Sequence, residues 1–357
     1  VQLEEEFMVG LKKRGVITAV AGILAAVTIT GCSAAPDNDA TVVTVGTEKV
    51  SYGVANFYAR MQQAQYESFY AGLMGMSADT MWSQEVEEGK TYEENMKDSI
   101  LESLENMYLV KQHASEYKVE LTDKEKKKID KAAEEFVEDN TLEDKEVVSG
   151  YKKYVKEYLE LATIQQKMDA PMKEGVDENV SDEDAAQKKI EYVQFSYTKK
   201  DDSGQSVQMT DDEKKAEKEK AQTFLDTVSA DPDKDMNAAA ASAEKEVQTA
   251  TFDSESSTLN ADLLKAADAL ENVGDVTSLI ETDDGIYVAK LTSKLDREAT
   301  DQKKKEIVEE RKQKQYEDQV ETWRKETDIK VDKKEWKKVD FEDQGVNVKQ
   351  TTTDSEK

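Results

Sequence analysis

The stretch from Gly274 to Leu291 constrains the fold more than any other part of the chain, because it has the pattern of two strands around a tight turn. In GDVTSLIETDDGIYVAKL, strand-like alternation runs over Val276–Glu281 and again over Ile286–Leu291. Asp283-Asp284-Gly285 separates the two runs, and an Asp-Gly step is a strong hairpin signal. Leucines and alanines with helical spacing predict a helix over Leu259–Leu270, just upstream. The predicted order is therefore helix, glycine, strand, turn and strand.

The same stretch resembles the C-terminal half of a parvulin-type peptidyl-prolyl isomerase domain. Eight positions fall in register with the family pattern without a gap: Gly274, Val276, Ile280, Thr282, Gly285, Val288, Lys290 and Leu291. Lys189–Phe195 resembles the opening strand of that domain, so the resemblance implies a parvulin-like domain over residues 188–297. Leu279 stands at the family's proline position, and Tyr192 and Tyr287 stand at its two histidine positions.

The resemblance implies a small apolar cleft that binds a prolyl peptide while its amide twists. Isomerisation breaks no covalent bond, but it has to lower a rotation barrier of about 18–20 kcal/mol. The candidate cleft residues are Tyr192, Phe252, Leu259, Leu263 and Tyr287. The two tyrosines keep aromatic bulk and one hydroxyl donor each, but they lack the imidazole pair. Two alternatives stay open: an isomerase with a tyrosine-modified cleft, or a non-catalytic domain whose tyrosines fill its core. No catalytic residue is assigned.

A lipoprotein signal sequence is predicted at the N-terminus. Lys12-Lys13-Arg14 precedes the apolar run Val16–Ile29, and about 14 residues are too few for a comfortable transmembrane helix. The run ends in Ile-Thr-Gly-Cys, which resembles a bacterial lipobox and implies that Cys32 is lipidated. The signal peptide would then span residues 1–31, with Met8 as the true start. Two acyl chains anchor a protein stably to a membrane; the alternative for Cys32 is a buried or free thiol.

Composition excludes several classes of function. The formal net charge is −29, and such an acidic surface repels nucleic-acid phosphates, so no nucleic-acid partner is expected. Cys32 is the only cysteine and His113 the only histidine, which excludes a His/Cys metal cluster. His113 is expected near the end of a helix, and we expect no Ser-His-Asp triad. No glycine-rich phosphate loop occurs. We therefore expect no metal and no cofactor.

Helical patterns flank the parvulin-like block on both sides. The first helix begins near Tyr52 and, with the chain that follows to Trp82, is the densest Met and aromatic stretch; it is either core or a surface for varied partners. A second helical region is predicted over Lys303–Thr327. The predicted divisions are a lipidated tether (32–40), an N-terminal helical region (41–176), the parvulin-like domain (188–297), a C-terminal helix and strand packing on the N-terminal region (298–340) and a disordered tail (341–357).

The lipobox, the helix-rich flanks and the hairpin block together resemble a PrsA/SurA-like extracytoplasmic foldase. That resemblance implies an α+β fold, in which a helical SurA-N-like chaperone body carries an inserted parvulin-like domain with a small antiparallel sheet plus helices. It implies a lipid anchor at the extracytoplasmic face of the cell membrane, with unfolded or partly folded secreted proteins as partners, and it leaves a homodimer open. The alternative is a purely non-enzymatic peptide-binding chaperone or scaffold lipoprotein. A solute-binding lipoprotein is disfavoured, because the chain lacks repeated βα alternation.

Overall fold

The computed structural model describes residues 23–24, 36–74, 81–87, 89–231, 233–342 and 346–348. The chain forms two compact units, of which the first comprises residues 1–175 and 312–357 and the second residues 176–311. Helices and small antiparallel sheets occur in both units, which confirms the predicted α+β class. Within the described ranges, no helix combines the length and the apolar character needed to cross a bilayer.

The helices of the described ranges are, in chain order, α1 (Tyr52–Met74), α2 (Tyr92–His113), α3 (Asp123–Asp139), α4 (Leu142–Val148), α5 (Lys152–Met172), α6 (Asp211–Ala230), α7 (Met236–Ser242), α8 (Ala261–Asp268), α9 (Arg297–Glu326) and α10 (Lys333–Trp336). A 3-10 turn at Ala114–Tyr117 follows α2. Thr122-Asp-Lys-Glu125 and Thr210-Asp-Asp-Glu213 have the sequence pattern that predicts a capping box, and these boxes are present at the starts of α3 and α6. Each threonine side chain satisfies a backbone N–H that the helix itself leaves unpaired.

The strands among the described residues are β1 (Ile23–Leu24), β2 (Thr41–Val45), β3 (Glu48–Ser51), β4 (Glu85–Glu87), β5 (Lys90–Thr91), β6 (Lys188–Ser196), β7 (Thr198–Lys200), β8 (Ser206–Gln208), β9 (Gln248–Phe252), β10 (Ile280–Glu281), β11 (Gly285–Ser293), β12 (Ile329–Val331) and β13 (Asn347–Val348). The two larger sheets have the orders β12-β2-β3 and β10-β11-β6-β9. Three further pairs form between β1 and β13, β4 and β5, and β7 and β8.

The first unit has a core to which both ends of the chain contribute. Strand β12 pairs antiparallel with β2, so Ile329 lies opposite Val45 in one sheet. Phe57, Met61 and Trp82 are buried in the same core, so the core alternative holds for these members of the Met and aromatic stretch. The side chains of residues 68–80 lie outside the described part.

The prediction of a disordered tail from residue 341 was wrong for its first part. Phe341 and Val346 are buried in the core of the first unit. The backbone N–H of Phe341 donates to Glu93 Oε1 at 3.0 Å, and that of Val346 donates to Glu67 Oε2 at 3.2 Å. The prediction failed because the sequence around Phe341 and Val346 is polar and charged, whereas the backbone of this segment is bonded by the buried carboxylates of Glu93 and Glu67. Residues 349–357 lie outside the described part.

The predicted tether is shorter than residues 32–40. Asn38 Oδ1 accepts a hydrogen bond from Ser149 Oγ at 2.6 Å, and Asp39 Oδ1 accepts one from the Tyr154 hydroxyl at 3.0 Å. These two residues are therefore part of the folded unit. Of the predicted signal peptide the structure describes only Ile23 and Leu24; the rest, and Cys32, lie outside the described residues.

The second unit contains the predicted hairpin. Strands β10 and β11 pair antiparallel, with Ile280 opposite Tyr287 and Glu281 opposite Ile286. The first strand is shorter than its alternating pattern, since only an isolated bridge joins Val276 to Lys290 upstream of Ile280. Gly285 has φ +155°, and a Cβ atom there would lie 2.5 Å from the carbonyl oxygen of Phe195. The glycine thus allows the turn to approach β6 closely.

Candidate peptide-binding site

The four-stranded sheet of the second unit has two very different faces, because successive side chains of a strand point to opposite sides. On one face Val193, Phe195, Ile286 and Val288 are buried under helices α6 and α7. We call this the helix-covered face. The other face carries Ile190, Tyr192 and Gln194 of β6 and Tyr287, Ala289 and Leu291 of β11, and we call it the tyrosine face. Its helix is α8, which has only eight residues.

The five predicted cleft residues all lie in one apolar cluster on the tyrosine face: Tyr192, Phe252, Leu259, Leu263 and Tyr287. They differ in exposure. Phe252 and Leu263 are 0% and 1% exposed, so they form the floor of the cluster and offer no surface to a peptide. Tyr192 and Leu259 are half-buried, and Tyr287 is 6% exposed. Of the five predicted residues, Tyr192 and Leu259 are therefore the accessible ones.

The two tyrosines lie side by side because of the register of β6 and β11. Tyr192 is opposite Ala289, and Gln194 is opposite Tyr287, so the tyrosines are diagonal neighbours on one face. Their ring centroids are 6.3 Å apart, with an angle of 43° between the planes. The Tyr192 hydroxyl donates to Gln248 Oε1 at 2.7 Å on the neighbouring strand β9. The small side chain of Ala289 leaves room for the aromatic pair.

The hydroxyl of Tyr287 is held by two polar neighbours. It donates to Asp284 Oδ2 at 2.7 Å and accepts from Gln194 Nε2 at 2.8 Å. Gln194 Nε2 also donates to Asp284 Oδ2 at 3.3 Å, so the three side chains form a closed network. Thr282 Oγ1 donates to the other carboxylate oxygen of Asp284. The hydroxyl proton of Tyr287 is thus already used in a hydrogen bond within the protein.

Burial and hydrogen bonding shift two pKa values in opposite directions. Hydrogen bonds from Thr282 and Tyr287 hold the pKa of the Asp284 carboxyl below its ordinary value. Burial raises the pKa of Tyr287, and the bond to the Asp284 carboxylate raises it further. At neutral pH the pair is therefore a neutral phenol and an ionised carboxylate. Tyr287 is therefore not arranged to act as a base.

Gln194 and Asp284 were missed as site residues in the sequence. Asp284 was interpreted only as part of the Asp-Asp-Gly turn, and Gln194 only as an alternating position of a strand. The available signal was the predicted hairpin, because its turn places the Asp284 carboxylate close to the side chain of Tyr287, three residues later. In the described part of the chain, no group of three or more His, Cys, Asp or Glu side chains could hold a metal ion.

Solved structures of PrsA foldases are similar to this chain. The foldase protein PrsA from Lactococcus lactis has 13% identity and a TM-score of 0.30, with 84% of this chain and 97% of that chain covered. The foldase protein PrsA from Streptococcus pneumoniae has 18% identity and a TM-score of 0.29, over 72% of this chain and 98% of that one. The peptidylprolyl isomerase PrsA from Bacillus cereus has 17% identity and a TM-score of 0.27, over 85% and 98%.

In the sequence, the lipobox, the helix-rich flanks and the hairpin block together resemble a PrsA/SurA-like foldase. No protein-family model matches the chain. No curated protein matches it by sequence either.

The single histidine, His113, lies in the first unit. His113 ends α2, as its sequence position suggested, and its ring stacks on Trp323 with centroids 4.2 Å apart. Its Nδ1 atom lies 2.7 Å from Glu116 Oε1. These contacts join the end of α2 to helix α9, so His113 has a packing role.

Proposed function

We propose that the protein is a foldase that binds prolyl segments of unfolded polypeptides on the tyrosine face of its second unit. The observation that carries the proposal is the Tyr192–Tyr287 pair, with ring centroids 6.3 Å apart, at the two positions where the parvulin pattern has histidines. A proline ring packs well against aromatic faces, and Tyr192 and Leu259 are the two predicted cleft residues that are half-buried and so accessible to a ligand.

The geometry supports binding of the twisted prolyl amide by shape and low polarity. An apolar surface that fits the twisted form better than the planar forms lowers the rotation barrier without any covalent step. The Tyr287 hydroxyl contributes little as a donor to the substrate, because it already donates its proton in a hydrogen bond to Asp284 Oδ2. We therefore expect modest acceleration of prolyl exchange at most.

A purely peptide-binding chaperone is the second candidate function. The hydrogen bond of the Tyr287 hydroxyl to Asp284 favours this candidate, because a hydroxyl that already donates its proton does not stabilise the twisted amide by donating to it. In that case the same surface would hold unfolded segments without changing their prolyl isomerisation rate. Exchange spectroscopy on X-Pro peptides separates the two candidates.

Charge supports basic segments as the preferred clients. The net charge of the chain is −29. Asp284 is exposed and ionised, and the partners that it has among the described residues are Thr282, Tyr287, Gln194 and Asn260, all of which are uncharged. A lysine or arginine beside the proline would supply the missing countercharge.

We further propose that the protein acts at the extracytoplasmic face of the membrane, on secreted proteins, with Cys32 as its lipid anchor. The lipobox-like sequence before Cys32 supports this location. Cys32→Ala should release the protein from membranes or leave it unprocessed. Unchanged lipid labelling of that variant would refute the anchor.

The foldase proposal is tested by client aggregation. The full chain should slow aggregation of a chemically denatured basic client at a near-stoichiometric ratio. Tyr192→Ala should weaken that effect, whereas Tyr151→Ala, which removes a half-buried tyrosine from the first unit, should leave it unchanged. No effect on several clients of different charge would contradict the proposal.

A further inference from the structure

Strand β9 forms one edge of the four-stranded sheet and lies open to solvent. The strand order is β10-β11-β6-β9, so β9 pairs on one side only, with β6. Gln248, Thr249 and Thr251 are exposed, and Ala250 is half-buried. In an antiparallel pair, alternate residues direct both N–H and C=O towards the partner strand. The remaining residues of β9 therefore present their backbone donors and acceptors to solvent.

The sequence of β9 lacks the protection that edge strands usually carry. Exposed edges are commonly blunted by charged side chains, by proline or by extreme shortness. At the opposite edge, β10 has two residues and includes Glu281. In the three-stranded sheet, one edge strand includes Lys330 and the other begins Glu48-Lys49. By contrast, β9 reads Gln-Thr-Ala-Thr-Phe and has no charge, in a chain with 36% charged residues.

We propose that an extended segment of a client polypeptide adds to β9 as a fifth strand of this sheet. This inference rests on the proposed function and specifies how the client is held. Backbone hydrogen bonds at a sheet edge do not depend on the side chains of the added strand. Such a contact suits a protein that binds unfolded segments of varied sequence.

The occupant is a client rather than a second copy of this chain, and the reason is charge. Two copies with a net charge of −29 each repel one another. Exposed Glu246 and Glu255 flank the uncharged strand, with Asp253 directly after it. A client strand with lysine or arginine at its ends would match these carboxylates. The edge therefore selects an uncharged extended core with basic flanks.

The added strand would also continue the tyrosine face. Across β6 and β9, Tyr192 lies opposite Gln248 and Ile190 lies opposite Ala250. The half-buried Ala250 leaves space on this face for a client side chain in the next strand. One client segment could thus bond its backbone to β9 and place alternate side chains beside the cluster that contains Tyr192.

The test uses the full chain and a nine-residue peptide, Lys-Lys-Thr-Val-Thr-Val-Thr-Lys-Lys, with two N-methylated forms. One form is methylated on the backbone nitrogens of alternate central residues, and the other on the intervening ones. Edge addition requires only one of these sets of N–H groups. We expect about a tenfold or greater loss of affinity in one frame and much less in the other. Hydrogen exchange should slow in residues 248–252 on binding.

Protein variants give an independent readout. Thr249→Lys and Thr251→Lys place charges on the edge and should weaken the unmethylated peptide at least about threefold. Thr223→Lys, at an exposed position of α6, adds the same charge elsewhere and should leave affinity nearly unchanged. Equal losses in both methylation frames, or protection outside residues 248–252, would overturn the inference. Protection of those residues that rises with protein concentration, without peptide, would also overturn it, in favour of a second copy.

Failure of this inference can be told apart from failure of the proposed function. Frame-dependent binding without any effect on client aggregation or on X-Pro peptides would leave the edge site and remove the foldase. Slowed aggregation that depends on Tyr192, together with equal affinity for the two N-methylated peptides, would support the foldase and remove the edge site.

Discussion

The two faces of the four-stranded sheet are built from the same strands, yet they carry different kinds of residue. The helix-covered face presents Val193, Phe195 and Val288, all fully buried under two helices. The tyrosine face presents Tyr192, Gln194 and Tyr287, with hydroxyl and amide groups and a single short helix. Because successive side chains point to opposite faces, one strand can stabilise the fold with one set of side chains and offer the other set to a peptide. We therefore predict that substitutions on the helix-covered face mainly lower stability, whereas substitutions on the tyrosine face mainly weaken peptide binding.

The largest expected effect is the loss of stability in Phe224→Ala, which alters the packing of helix α6 on the helix-covered face. Phe224 is 2% exposed and packs edge-on against Phe195, with ring centroids 5.6 Å apart. Removing a buried phenylalanine leaves a cavity and should cost about 3–5 kcal/mol of unfolding free energy. Urea unfolding followed by far-UV circular dichroism measures this change.

The chain provides an internal control for that measurement. Its three tryptophans, Trp82, Trp323 and Trp336, all lie in the first unit, so their fluorescence reports that unit alone. We expect Phe224→Ala to move a circular dichroism transition to lower urea while the fluorescence midpoint stays in place. Leu259→Ala, on the tyrosine face, should cost about 1 kcal/mol or less, because the side chain is already half exposed. Equal losses for the two variants would contradict the distinction between the faces.

A smaller effect is expected for Tyr287→Phe, which removes the hydroxyl and keeps the ring. The variant loses the bonds to Asp284 and Gln194, but water can replace them at the exposed Asp284 carboxylate. We expect a loss of about 1 kcal/mol in unfolding free energy. A loss as large as that of Phe224→Ala would mean that the hydroxyl network holds the sheet together, contrary to our account.

The pH dependence of stability should reveal Asp284. Its pKa is lower in the folded chain than in the unfolded chain, so its contribution is fully present above the unfolded value of about 3.9 and is lost as pH falls through the folded value. Asp284→Asn has no such titration. The difference in unfolding free energy between the wild-type chain and Asp284→Asn should be constant from pH 7 to about 5 and shrink below pH 4. A difference that stays constant down to pH 3 would contradict the assignment.

The smallest effect should come from Tyr192→Phe. The Tyr192 hydroxyl bonds to Gln248 at an exposed position, where water competes for both groups. We expect a change of less than about 0.5 kcal/mol in unfolding free energy. Because the ring is retained, peptide affinity should also be nearly unchanged, whereas Tyr192→Ala should lose it. If Tyr192→Phe weakens binding as much as Tyr192→Ala, the hydroxyl rather than the ring contacts the peptide.

Local sequence signals predicted much of this fold. The Asp-Gly turn and the flanking alternation located the hairpin, and Thr122 and Thr210 located two helix starts, since these features act within a few residues. Helix α9 was predicted from Lys303 but begins at Arg297. The alternating residues before Ile280 form only an isolated bridge, because a strand exists only where a partner strand pairs with it.

Individual pairs of residues from distant parts of the chain were not predicted. The backbone N–H of Phe341 bonds to Glu93, and the Tyr287 hydroxyl accepts from Gln194 on another strand. No local pattern encodes such pairs. The five cleft residues could be named from the family pattern, but only the structure separates the buried Phe252 from the accessible Tyr192.

The most direct test of the tyrosine face is an NMR titration of the isotope-labelled full chain with a short Ala-Pro peptide. We predict shift changes on β6 and β11 around Tyr192 and Tyr287, lost in Tyr192→Ala and retained in Tyr151→Ala. Exchange spectroscopy on the same sample then shows whether bound prolyl peptides isomerise faster. Shift changes confined to other residues, or unaffected by Tyr192→Ala, would contradict the claim that this face binds prolyl segments.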